Sequence, residues 1–139
     1  MKVSKKAEYA LQAVLAIARA PKHQPIQIQE LAEAEDIPVK FLEQILLTLK
    51  KGQLLQSKRG VGGGYQLNRS PSEISVGNVI RLIDGDFIPI DRVTEGSPNC
   101  SLTSFFTQLQ EIVDQHLDDH TIEDLLAMER PKDVLAFEI

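Results

Sequence analysis

Between positions 40 and 51 the chain carries polar groups at helical spacing. At 100° per residue, Lys40, Glu43, Gln44 and Lys51 share one side of a helix with Leu47, while Leu42, Ile45, Leu46 and Leu49 share the other. These polar types suit the edges of bases. Gln44 can pair bidentately with adenine, Lys40 can reach guanine or a phosphate, and Glu43 can accept from cytosine while rejecting nearby phosphate oxygens. Lys50, Lys51, Lys58 and Arg69 suit phosphates better than bases. Leu47 fits either a thymine methyl or packing under the preceding helix, and the sequence leaves both open.

A second constellation follows in Lys58-Arg59-Gly60-Val61-Gly62-Gly63-Gly64. It has neither the G-x-G-x-x-G spacing nor the Lys-Ser/Thr ending of a nucleotide loop, so it is not read as a phosphate cradle. Strand-like runs flank it, Leu54-Leu55-Gln56-Ser57 before and Tyr65-Gln66-Leu67 after. This is a glycine-tipped hairpin whose backbone can come close to a surface. Arg59 at its tip, with Lys58 and Gly60 beside it, suits a narrow minor groove. The blander reading is an exposed hairpin with two solvated cations.

These groups need a scaffold, and the surrounding pattern supplies one. A short helix is expected over 28–35, with Ile28, Leu31, Ala32 and Ala34 on its apolar side, and Asp36-Ile37-Pro38 breaks it. The next helix runs from about Val39 to Lys51, and Gly52 suits its C-terminal cap. Two helices crossing over a short turn need a small residue in the first, an apolar residue in the turn and apolar anchors in the second. Ala32, Ile37, Leu42 and Ile45 fill those places. Asp36 stands where such turns favour glycine, a position it can take by entering the left-handed region at some cost.

Elsewhere, Ser4 caps a helix reaching about Ala20 through Ala7, Ala10, Leu11, Val14, Leu15, Ile17 and Ala18, with Pro21 beyond its end. Ser75 caps another, stopped by Asp84-Gly85. Residues 86–99 have no periodicity, a long connection for so small a protein. A wide stripe then recurs at Leu102, Phe105, Leu109, Ile112 and His116, with Phe106, Val113 and Leu117 alongside. It is expected to meet a two-fold partner helix, the alternative being packing on its own N-terminal part. Thr121 and Asp124 form a capping box for a helix over 122–128, and the tail is expected to be loose. The fold class is therefore mainly α with a small β-hairpin wing. Its expected parts are a winged helix-turn-helix over 1–84, a sensor-like loop over 85–99, dimerisation helices over 100–128 and a flexible tail over 129–139.

A net charge of −5 opposes a polyanion partner until its distribution is examined. Residues 1–69 hold 11 Lys/Arg and 6 Asp/Glu, or +5, and residues 70–139 hold 4 and 14, or −10. The motif-bearing half thus has the local positive charge that phosphate neutralisation requires. The chain lacks a transmembrane run or signal-peptide pattern, so a cytoplasmic location with no membrane partner is expected. One cysteine cannot form an internal disulfide, in keeping with a reducing compartment.

The run Phe41-Leu-Glu-Gln-Ile45, then Gly52-Gln-Leu and Lys-Arg-Gly60-Val-Gly-Gly-Gly-Tyr65-Gln-Leu67, closely resembles the IscR/NsrR-type winged-helix transcriptional regulators, the Rrf-two family. Further matches are Lys5-Lys-Ala-Glu-Tyr-Ala10, Ser75-Val-Gly-Asn-Val-Ile80 with Asp84-Gly85, and Cys100 before a long helix. The resemblance implies a DNA-binding homodimeric regulator, most simply a repressor, that binds double-stranded DNA. It also implies backbone contact by Lys5 and Tyr9, for which a solvated basic helix end is an equal alternative. Family members with an iron–sulfur cluster carry three cysteines in the loop and at the start of the dimer helix. Only Cys100 stands here, with Thr103 three residues beyond; carboxylates at Asp91 or Glu95, or residues of a partner chain, could substitute for the missing sulfurs, but a cluster is the weaker reading and no cofactor is expected. Cys100 remains the candidate sensor residue, since a thiol at a helix N-terminus is open to reversible oxidation.

Other chemistries find less support. His116 and His120 could share a face with Asp119 and bind zinc, though an ordinary helix end is the simpler reading. No nucleophile–base set, metal tetrad or nucleotide loop is present at motif spacing, so an enzyme is not expected. The rival of another class is a winged-helix adaptor that contacts proteins without binding DNA.

Overall fold

A computed structural model describes residues 2–21, 24–89 and 100–129. Six helices and one hairpin are found among them: α1 (Lys5–Arg19), α2 (Ile28–Glu35), α3 (Val39–Lys51), β1 (Leu55–Lys58), β2 (Gly64–Leu67), α4 (Val76–Asp84), α5 (Cys100–Asp119) and α6 (Ile122–Met128). A 3-10 turn at Pro71–Glu73 leads into α4. The architecture is the expected one, mostly helical with a two-stranded antiparallel wing and a long helix near the C-terminal end. No helix among the described residues is long and apolar enough to cross a membrane. His23, the loop positions Asp91 and Glu95, and the tail beyond 129 lie outside the described residues.

Local signals place most of the boundaries. Ser4 accepts from the Ala7 N–H at 3.0 Å, capping α1. Ser75 and Thr121 each close a capping box, with Asn78 and Asp124 respectively. Asp36 adopts φ 53°, ψ 50°, so the aspartate does enter the left-handed region to turn α2 into α3. At the far end of α3 the glycine has a different part from the one expected. Gly52 has an ordinary φ of −78°, and Gln53 takes the left-handed conformation at φ 65°. The Gln53 N–H bonds the Lys50 carbonyl and the Leu54 N–H bonds the Leu49 carbonyl, each at 3.0 Å, which is the paired closure of a Schellman motif. Gly52 is needed for space, because a Cβ there would lie 2.5 Å from Leu82 Cδ1 of α4.

The core forms where the apolar sides of α1, α3 and α4 meet. Ala10, Ala13 and Val14 of α1, Leu42, Ile45, Leu46 and Leu49 of α3, and Val79 of α4 are fully buried there. Leu31 and Ala32 of α2 and Ile37 of the turn join them, which locks the crossing angle of the two-helix unit. Ile122 of α6 is buried in the same core, and Thr121 bridges Ser75, so the last described helix folds back on the first.

Wing and helices are stitched together by backbone. Leu55 pairs with Leu67 and Lys58 with Gly64, leaving 59–63 as the tip. Ile26, just before α2, exchanges two hydrogen bonds with Tyr65 of β2, at 2.9 and 2.8 Å. This third, one-residue strand passes so close to Gly64 (φ 143°) that any Cβ there would collide with the Ile26 carbonyl.

Candidate nucleic-acid interface

Helix α3 separates its two chemistries cleanly. Leu42, Ile45, Leu46 and Leu49 face the core, whereas Lys40, Glu43, Gln44, Leu47, Lys50 and Lys51 are exposed. Lys50 and Lys51 lie in the last turn, where they also suit the negative end of the helix dipole. None of these cations takes part in a salt bridge among the described residues. Unpaired surface cations are what a phosphate backbone requires, since each contact then releases counterions without first breaking an ion pair.

At the wing, Lys58, Arg59 and Gly60 are all exposed, as is Val61 at the extreme tip. Gly60 and Gly62 have φ 91° and 79°, and the Gly63 N–H bonds the Gly60 carbonyl at 3.0 Å. The tip is thus a tight turn built on backbone geometry that only glycine takes readily. Nothing lies within 4 Å of the space a Cβ would fill at Gly60 or Gly62, so the tip stands clear of the protein.

The start of α1 joins this surface through aromatic rings that the sequence pattern does not reveal. Lys5 Nζ sits 5.1 Å from the centre of the Tyr9 ring, and Tyr9 meets Phe41 of α3 edge-on at 6.1 Å. Phe41 therefore ties the N-terminal end of α1 to the first turn of α3, although spacing alone gave it no part beyond its place in the family motif. Lys5 also pairs with Glu8 at 3.4 Å, so its charge is partly used within the helix. Ser4 is held by Asp84, the last residue of α4, which accepts from both its N–H and its hydroxyl. That clasp joins positions far apart in sequence and is absent from the sequence reading.

Helix α5 is built the other way round. Its inner edge is held by ions: Arg81 of α4 donates to Asp118 at 2.6 Å and to Asp114 at 3.3 Å. The hydrogen bond with Asp118 is the main reason the Arg81 guanidinium is held above its ordinary pKa, with Asp114 adding to it. Val113 and Leu117 are half-buried and share a cavity of about 320 Å³ with Val3, Ile80 and Phe87. Its outer side is hydrocarbon, with Leu102, Phe105 and Ile112 exposed by 52%, 61% and 67%. Phe106 and Leu109 are intermediate, and the Phe105 and Phe106 rings meet edge-on at 5.2 Å. The expected dimerisation set thus divides, with Val113 turned inward and Leu102, Phe105 and Ile112 facing out.

The candidate sensor, Cys100, is the first residue of α5 and is exposed. No group of three His, Cys, Asp or Glu side chains able to hold a metal occurs among the described residues. A lone thiol also falls short of the three cysteines that cluster-holding family members carry, so the described donor set does not fit an iron–sulfur group. The His116 and His120 rings lie 4.3 Å apart between centres with their planes tilted by 45°, and His120 Nδ1 is engaged with the His116 carbonyl at 2.8 Å.

Comparison with known proteins gives a consistent result. Residues 3–128 match the family described as "Rrf2: Iron-dependent Transcriptional regulator". The chain is 34% identical to a provisionally named HTH-type transcriptional regulator of Mycobacterium tuberculosis, over 96% of this chain and 86% of that one. It is 30% identical to the HTH-type transcriptional regulator IscR of Pectobacterium carotovorum, over 96% and 84%. Among solved structures, CymR, the global cysteine regulator of Bacillus subtilis, superposes with a TM-score of 0.82 at 28% identity, covering 94% of this chain and 99% of that one.

Proposed function

This chain belongs to the Rrf2 family of HTH-type transcriptional regulators, not enzymes, and from that premise we propose that it is a sequence-specific DNA-binding repressor acting as a homodimer. Helix α3 enters the major groove and the wing over 58–64 enters the adjacent minor groove. Lys40, Glu43 and Gln44 meet base edges, while Lys50, Lys51, Lys58, Lys5 and Tyr9 hold the backbone. Arg59 occupies the narrow minor groove, and Gly60 lets the tip approach.

The observation that carries this reading is the two-sided character of α3, with a fully buried apolar row backing an exposed face of cations and amide. Support for the pair comes from α5, whose hydrocarbon faces away from its own chain. A second copy covering Leu102, Phe105 and Ile112 would set two α3 helices against successive half-sites, about 34–36 Å apart along the duplex. Occupying a promoter in this way blocks transcription with no further contact, which is why repression is the mode proposed. The acidic second half then stays away from the phosphates.

Selection of bound duplexes from a random pool, followed by binding titrations across salt, tests this directly. A palindromic preference and a steep fall of affinity with salt are expected, together with a sedimentation mass of two chains. A single-chain mass with no retention on duplex at low salt overturns the proposal.

A further inference from the structure

At the centre of the α3 reading face sits a side chain with no polar atom. Leu47 is 48% exposed and is not among the apolar residues packed against the core. At 100° per residue it points within about 30° of the direction opposite the buried row. The other exposed apolar residues of α3, Val39 and Phe41, point about 90–110° away from that direction, and Phe41 is turned onto Tyr9. Scattered exposed leucines are common on protein surfaces. This one lies between Gln44 and Lys51, in the row that would be buried when α3 docks.

We propose that Leu47 is a base-reading residue that selects thymine through its C5-methyl group, so that each bound half-site carries an A·T pair beneath the middle of α3. The proposal rests on the DNA-binding reading above and names what that surface selects. In the major groove, thymine alone among the four bases presents a methyl group, and the other edges present donors and acceptors. Pressing Leu47 against those edges would strip water from polar atoms and offer no hydrogen bond in return, a penalty added to the lost apolar contact. Selection therefore works from both sides. Gln44 reinforces it: Leu47 lies three residues further on along the same face, about 4.5 Å along the helix axis, near enough to meet the base pair that Gln44 reads. An adenine read by Gln44 brings its own thymine opposite, placing a methyl in that part of the groove.

The experiment uses the full chain and a duplex selected from a random pool. Each thymine is replaced singly by deoxyuridine, which removes only the methyl group, and affinity is measured at fixed salt. One thymine per half-site is expected to show about fourfold weaker binding on replacement, the effect of one buried methyl. Leu47→Ala, at an exposed site and checked for an unchanged melting temperature, is expected to bind the two duplexes equally. Arg59→Ala is expected to bind more weakly overall and keep the fourfold ratio. Uniform tolerance of deoxyuridine by the wild-type chain, or a ratio that survives in Leu47→Ala, overturns this inference and leaves DNA binding intact. Failure of every duplex to bind at low salt would instead remove the DNA-binding reading, and this inference with it.

Discussion

Helices α3 and α5 make opposite use of their apolar residues. The first has 13 residues and buries Leu42, Ile45, Leu46 and Leu49 within its own chain; the second has 20 and buries none. Helix α3 is held by hydrocarbon and shows its polar groups to solvent. Helix α5 is held by the Arg81 pairs with Asp114 and Asp118 and shows hydrocarbon to solvent. Exposed apolar residues along a helix this long mark a surface that a further body completes. On the homodimer proposed above, one helix is finished by folding and the other by association.

The largest effect should come from making the same kind of truncation in both. Leu46→Ala is expected to cost about 2–5 kcal/mol of unfolding free energy in denaturant titration, because it opens a cavity among fully buried neighbours. Phe105→Ala, measured at protein concentrations low enough to hold single chains, should stay within about 0.5 kcal/mol of wild type. A comparable loss at both positions would break the contrast. Next in size, Phe105→Glu should weaken self-association at least about thirtyfold in sedimentation, the effect of removing a central anchor of about 2 kcal/mol. A wild-type protein that stays single at every concentration would overturn the proposed homodimer.

Arg59→Ala acts only on the side proposed to face DNA. It should weaken binding to all sequences and lower the magnitude of the log-affinity against log-salt slope by about 1, with melting temperature unchanged. The smallest effect concerns acid. Asp124 is held below the ordinary aspartate pKa chiefly by the Thr121 backbone N–H, and Glu129 below the ordinary glutamate value by its hydrogen bond with Arg19. A carboxylate depressed on folding contributes stability above its unfolded pKa and loses it as pH falls through the folded one. Melting temperature should therefore decline as pH drops below the ordinary carboxylate range, and Asp124→Asn should flatten part of that decline.

Much of this was legible in the chain because the deciding signals are local. Asp36-Ile37-Pro38 fixes the turn between α2 and α3 within a few residues, and Ser75 and Thr121 announce their helices by caps three residues long. The two faces of α3 follow from period alone. What escaped depends on residues distant in sequence. Gly52 reads as a helix terminator, yet its constraint comes from Leu82, and the left-handed turn falls on Gln53. The Ile26 bridge is a single residue with no alternation to betray it. Polar spacing placed Lys40, Glu43 and Gln44 on one face, whereas the link from Lys5 through Tyr9 to Phe41 exists only after α1 packs on α3.

The pair of backbone hydrogen bonds between Ile26 and Tyr65 has a geometric consequence. Ile26 leads directly into α2, and Tyr65 follows directly from the wing tip, so the hairpin cannot swing without dragging the helix pair along. On the docking proposed above, the distance from α3 to the wing tip is thereby a gauge cut into the protein. A duplex would have to match it by its own groove width and twist, and sequences that resist that shape would be turned away before any base is touched.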